Sequence, residues 1–193
     1  IDHIHSLAQT QDKEELSQFM SYVTSIFVRE YNKTLSRKGA LFEGRFGSAP
    51  KQDKKRLISS IIYVGNNPVE KTICRYAEQY RWNFIAYMGS DHPFSEPLVV
   101  RRSSCRMKHA LKTVDIFYSK GQYLNYAVIE RVFDGLSGIE QDQLIDYIVR
   151  KYNVIDNDRV LGYFGSYSNL LLSMHSTTGS EYDINEERNR WSD

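Results

Sequence analysis

Apolar side chains recur at helical spacing along most of this chain, and that period limits the possible folds more than any single motif. From Asp12 the series Leu16, Phe19, Met20, Val23, Ile26, Phe27 and Tyr31 follows i, i+3, i+4, i+7, which predicts an amphipathic helix ending near Leu35. Asp12 with Glu15 has the form of a capping box at its start. A second helix is predicted from Asp53, its N-cap, to about Asn66, with Leu57, Ile58, Ile61 and Ile62 as the buried stripe and Pro68 as the stop. The stretch GSDHPFSEP, residues 89–97, is the best linker candidate. Beyond it the pattern is helical over about 104–118, 123–133, 140–152 and 158–175, broken by Gly121, Gly135, Gly138, Gly162 and Gly165. Short helices, tight glycine turns and a basic first helix there admit a helix-turn-helix, or equally a structural helical cap.

The period changes only at the start. Ile1 to Ala8 alternates like the end of a strand, in which His3 and His5 would point the same way. Residues 37–50, with Gly39, Gly44, Gly47 and Pro50, read as a loop with a short extended piece, and Trp82 to Tyr87 as a short strand or one turn of helix. Because the chain opens on Ile1 inside the strand-like stretch, it reads as an N-terminally truncated fragment. The expected organisation is a domain over 1–90, a helical region over 98–180 and an acidic tail over 181–193.

Composition excludes several classes. At 193 residues, 41% hydrophobic and 25% charged, the chain can bury a core and is neither disordered nor collagenous. Cys74 and Cys105 stand far apart, which argues against a disulfide scaffold or a zinc finger and for free thiols in a reducing compartment. Apolar runs fall far short of the roughly 20 residues that cross a bilayer, so a cytoplasmic protein with no membrane partner is expected. A net charge of +1 hides segregation: between Arg29 and Arg56 nine cations face three acids, and Arg101, Arg102, Arg106, Lys108 and Lys112 form a block without an acid. Cations interleaved with Tyr31, Phe42, Phe46, Tyr76, Tyr80 and Trp82 suit single-stranded nucleic acid, although such runs also serve as solvated faces beside core aromatics.

Three features bear on chemistry. His3 and His5, on one face of a strand, can grip one divalent metal, or can be ordinary surface histidines. On the second helix Tyr63, Asn67 and Arg56 fall together on the side away from the isoleucine stripe, where a tyrosine either has a task or packs on a neighbour. The third is the stretch Tyr63-Val64-Gly65-Asn66-Asn67-Pro68-Val69, followed by Tyr80-Arg81-Trp82.

Taken in order, Asp2-His3-Ile4-His5-Ser6-Leu7, Gly44-Arg45-Phe46, the YVGNNPV stretch and Tyr80-Arg81-Trp82 resemble the REP-associated tyrosine transposases of the single-tyrosine HUH superfamily of bacterial insertion sequences. The resemblance covers about residues 1–87. It implies an α+β fold, a ferredoxin-like antiparallel sheet with helices on one face, here lacking its N-terminal strand and helix, followed by a mostly helical C-terminal region. It also implies that His3, His5 and Asn67 bind Mg²⁺ or Mn²⁺ and that Tyr63 is the nucleophile. Arg45 would contact DNA phosphate, and Arg37, Lys38, Lys54, Lys55 and Arg56 would extend that surface. The implied activity cuts and rejoins single-stranded DNA, at a hairpin or palindromic repeat, through a 5′-phosphotyrosine, with the protein a monomer or homodimer. The chemistry suits the residue types: a phenol of ordinary pKa about 10 needs a nearby cation and a polarised phosphate to attack. Two other classes compete, a DNA-binding protein that no longer cuts and a metal-dependent hydrolase using water.

Overall fold

A computed structural model describes residues 5–44, 46–51 and 53–176. They form eight α-helices: α1 (Lys13–Thr34), α2 (Lys54–Glu70), α3 (Ile85–Gly89), α4 (Cys105–Ser119), α5 (Tyr126–Phe133), α6 (Gly138–Lys151), α7 (Asn157–Phe164) and α8 (Tyr167–Ser176). There is no strand among the described residues, which overturns the expected ferredoxin-like antiparallel sheet: this part of the chain is all-helical. The reason lies in the period. Alternation was confined to the first eight residues, and a strand without a partner satisfies none of its ladder groups. Of that stretch, residues 5–8 take neither helix nor strand, and His3 lies outside the described residues, as do Arg45 and the tail 181–193.

Helix ends follow local chemistry. Asp12 Oδ1 accepts from the Glu15 amide at 2.7 Å, while the Glu15 carboxylate reaches back to the Gln11 amide at 2.6 Å, one residue beyond the expected box. Asp53 caps α2 through the Arg56 amide at 2.8 Å. Pro68 does not stop α2, which runs on to Glu70. A proline this close to the end deletes a single backbone bond, and the buried ring is offset by packing. The predicted helix over 158–175 is two helices, because Gly165 adopts φ +83°, a left-handed C-cap that only glycine takes without strain.

Two cores organise the helices. Met107, Ala110, Leu111 and Val114 of α4 pack on Val128 and Val132 of α5, Leu136, and Leu144 of α6. Ile61 of α2, Ala77, Ile85 of α3, and Leu170 and Met174 of α8 form the second core, so the chain's last described helix closes on α2. Gly65 permits that closure, since a Cβ there would lie 2.8 Å from Met174 Cε and 3.4 Å from Ile85 Cδ1. Gly65→Val is therefore expected to cost about 1–3 kcal/mol through overpacking. A thermal unfolding midpoint unchanged by the substitution would refute the α2–α8 contact.

The cores are joined at α6. Asp146, fully buried, accepts from Tyr87 Oη (3.0 Å), the Phe94 amide (3.0 Å) and Ser95 Oγ (2.9 Å). Arg81 reaches α6 one turn earlier, at Asp142 (2.8 Å), and donates to the Phe94 carbonyl (3.1 Å). The GSDHPFSEP segment is thus anchored to α6 by its centre. Burial, then the hydrogen bond to Asp146 and its charge, push the Tyr87 phenol well above its ordinary range, keeping it a donor at neutral pH.

Candidate functional site

Tyr63 occupies the middle of α2, where the helix is enclosed on several sides rather than on one stripe: Ser60, Ile61, Tyr63, Gly65, Asn66 and Pro68 are all buried. The expected polar face carrying Tyr63 is thus covered, and Tyr63 is only 7% exposed. α3, α8 and the irregular segment that carries His5 close around this part of the helix.

That segment brings two of the four residues of the predicted site, His5 and Tyr63, together. His5 Nε2 lies 3.2 Å from Tyr63 Oη, a contact across 58 positions of sequence, and the rings meet edge to face with centroids 5.1 Å apart. The neutral imidazole offers one donor and one acceptor nitrogen, and this bond orients both partners. The arrangement can stabilise a phenolate when Nε2 carries the proton, or accept the phenol proton when it does not.

Asn67, the predicted amide ligand, is half-buried one turn beyond Tyr63. Its neighbour Asn66 is the structural amide of the pair: it is buried, and its Nδ2 donates to the Met174 carbonyl at 2.8 Å, binding α2 to α8. Nothing in the sequence separates two adjacent asparagines; only the helix phase does. Imidazole and amide oxygen are donors that suit a borderline or hard divalent cation. Of the implied set, His5 and Asn67 fall among the described residues. No group of three or more His, Cys, Asp or Glu side chains suited to a metal occurs among those residues.

The predicted basic residues divide. Arg37 donates to Asn32 Oδ1 (3.2 Å) and to the Ala40 carbonyl (2.9 Å), so its guanidinium organises the turn after α1. Arg56 lies 3.4 Å from Asp53 at the start of α2. Lys54 sits 6.0 Å from the centre of the Tyr163 ring, and Lys38, Lys54 and Lys55 are exposed. Lys54, Lys55 and Arg56 cluster at the N-terminal end of the helix that bears Tyr63, about 10–14 Å along the axis from it.

One constellation escaped the sequence reading. His175 lies 2.9 Å from a Glu78 carboxylate oxygen and stacks against Tyr76 at 4.6 Å between ring centres. Burial, then the Glu78 charge, raises the thiol pKa of neighbouring Cys74, so that cysteine is not an activated nucleophile. No spacing signal links residues 78 and 175, because only the return of α8 onto the second core brings them together.

No helix among the described residues is long and apolar enough to cross a membrane. No family model, curated protein or solved structure matches the chain.

Proposed function

We propose that this protein cuts and rejoins single-stranded DNA at hairpin or repeat sequences, with Tyr63 as the nucleophile. The carrying observation is the 3.2 Å contact between Tyr63 Oη and His5 Nε2, which pairs the two motif residues within reach of one phosphate. Tyr63 Oη attacks the phosphorus, the bond from phosphorus to the 3′ oxygen breaks, and a 5′-phosphotyrosyl ester and a free 3′-OH result. The departing 3′ oxygen takes up a proton in place of the one lost from the phenol, and attack by a 3′-OH reverses the step without hydrolysis. His5, through its Nε2 proton, stabilises the phenolate before attack. His3, His5 and Asn67 would hold Mg²⁺ or Mn²⁺, which when bound supplies Lewis-acid polarisation of the scissile phosphate. Lys54, Lys55 and Arg56, with Lys38, supply phosphate contacts along the approaching strand. Because Tyr63 is buried, access of a DNA strand to its hydroxyl requires the chain after His5 to shift while His5 stays beside Tyr63. The reading places the protein in the cytoplasm, as a monomer or homodimer.

The test is incubation of the protein with labelled single-stranded hairpin oligonucleotides and Mg²⁺ or Mn²⁺, resolved on a denaturing gel. A metal-dependent, protein-sized adduct supports the proposal. Cleavage that persists in Tyr63→Phe would instead indicate a hydrolase using water, and binding without any cleavage a DNA-binding protein.

A further inference from the structure

We infer that α4, with the turn before it and α5 beside it, forms a second nucleic-acid surface that grips the backbone of a duplex. From Leu98 to Val114 the chain holds Arg101, Arg102, Arg106, Lys108 and Lys112 and no carboxylate. Met107, Ala110, Leu111 and Val114 turn one face of α4 into the core, which leaves Arg106, Lys108, His109 and Lys112 exposed on the opposite arc. Lys108 Nζ donates to the Arg101 carbonyl at 3.3 Å, fixing the Arg101–Arg102 turn against the start of the helix. Across a groove of about 340 Å³ lined by Arg106, His109 and Thr113, Arg131 of α5 adds another cation.

The nearby carboxylates leave this charge largely uncompensated. Asp134 stands 4.0 Å from Arg106 with both side chains mostly exposed, Glu140 is bonded to the Ser104 and Ser137 amides, and Asp115 is bridged by Lys151 at 2.6 Å. Glu130 lies exposed beside Arg131 on α5. Arg101, Arg102, Lys108, Lys112 and Arg131 make no ion pair among the described residues.

The chemistry of the face selects the partner. A membrane surface requires an amphipathic helix with a free apolar side, and that side of α4 is consumed by the core. Single strands require flat aromatic rings between the cations, and the exposed arc from Cys105 to Thr113 carries no Phe, Tyr or Trp. Lys108 and Lys112 lie about 6 Å apart along the helix on one exposed face, and with Arg101 and Arg102 they present cations to the dense phosphate charge of a duplex. Base reading by α6, the helix after the Gly135 turn, is blocked: Asp142, Asp146 and Gln143 are occupied by Arg81, by Tyr87 with Ser95, and by the Glu96 carbonyl. The surface therefore binds duplex without sequence preference, and it does not depend on the reading of Tyr63.

The test is anisotropy of a labelled 25-base-pair duplex and of a single strand of equal length, titrated with the full chain between 50 and 200 mM salt. Arg101, Arg102, Lys108 and Lys112 are all changed to Gln in one variant; a control carries Lys13, Lys33, Lys71 and Lys120 changed to Gln. All eight side chains are exposed, so the helical circular dichroism signal should match wild type in both, with only a small fall in melting temperature in the first variant where the Lys108 bond to the Arg101 carbonyl is lost. The expected result is duplex affinity weakened at least tenfold, with the slope of log K against log salt reduced by about 2–4, in the first variant alone. Unchanged duplex affinity and slope would overturn the proposal. So would a larger loss on the single strand, on anionic phosphatidylserine vesicles or on polyglutamate than on the duplex.

Discussion

Tyr63→Phe is expected to remove covalent DNA attachment completely while leaving the fold intact. The substitution deletes one oxygen, and with it both the proposed attacking atom and the hydrogen bond to His5 Nε2. A ring of the same shape remains in place on α2, so packing around Ile61 and Pro68 is preserved and the stability cost is confined to about 1 kcal/mol for the lost bond. Without the phenol no ester can form, and the adduct should fall below a thousandth of the wild-type level. His5→Ala tests the partner separately: the phenol survives but loses its hydrogen bond to the imidazole, and adduct formation should fall about 100-fold, the usual worth of one positioned proton-handling group. Wild-type adduct levels in His5→Ala would sever the 3.2 Å contact from the chemistry and leave it a packing interaction.

Asp146→Ala carries the largest expected cost to stability, about 3–5 kcal/mol, because it strands three donors inside the junction between the cores. Tyr87, buried at 8% exposure, would keep a hydroxyl with no acceptor, and the Phe94 amide and Ser95 hydroxyl would lose theirs. For a chain whose total stability is of order 5–15 kcal/mol, this is a large share. Asp146→Asn keeps the shape and one acceptor oxygen but turns an NH₂ toward a donor, so a smaller loss of about 1–3 kcal/mol is expected. Urea unfolding followed by circular dichroism measures both. A shift below 1 kcal/mol in Asp146→Ala would mean that the 89–97 segment is held by its other ties, Arg81 to Phe94, Gln143 to Glu96 and Arg150 to Asp91.

Much of the helical content was legible because it is local. The i, i+3, i+4 spacing of Leu16 to Tyr31 and the side-chain cap at Asp12 predict α1 within a residue at each end, and Asp53 marks the start of α2. The sheet was never in the residues that the structure describes. It came with the resemblance, and the only alternating stretch meets no partner strand among the described residues. α1 shows the limit of periodicity in another way: it forms as expected, yet none of its residues is fully buried, and Phe19, Tyr22, Val23 and Phe27 remain exposed. Spacing specifies a helix with an apolar face, not the surface that covers it.

By itself, then, the sequence determined the helical period, the caps at Asp12 and Asp53, and the acid-free cationic block before and within α4. Those properties depend on neighbours within about a turn, or on residue type alone. Tertiary structure decided that Tyr63 is enclosed rather than presented on an open polar face, that Asn66 and not Asn67 is spent on α8, and that Glu78 meets His175. It also decided that Asp146 ties the two cores together. Each of these rests on contacts between residues about 50 to 110 positions apart, whose closure is favourable only once the cores that Ile61, Met107, Leu144 and Leu170 build have repaid the chain entropy of bringing them together.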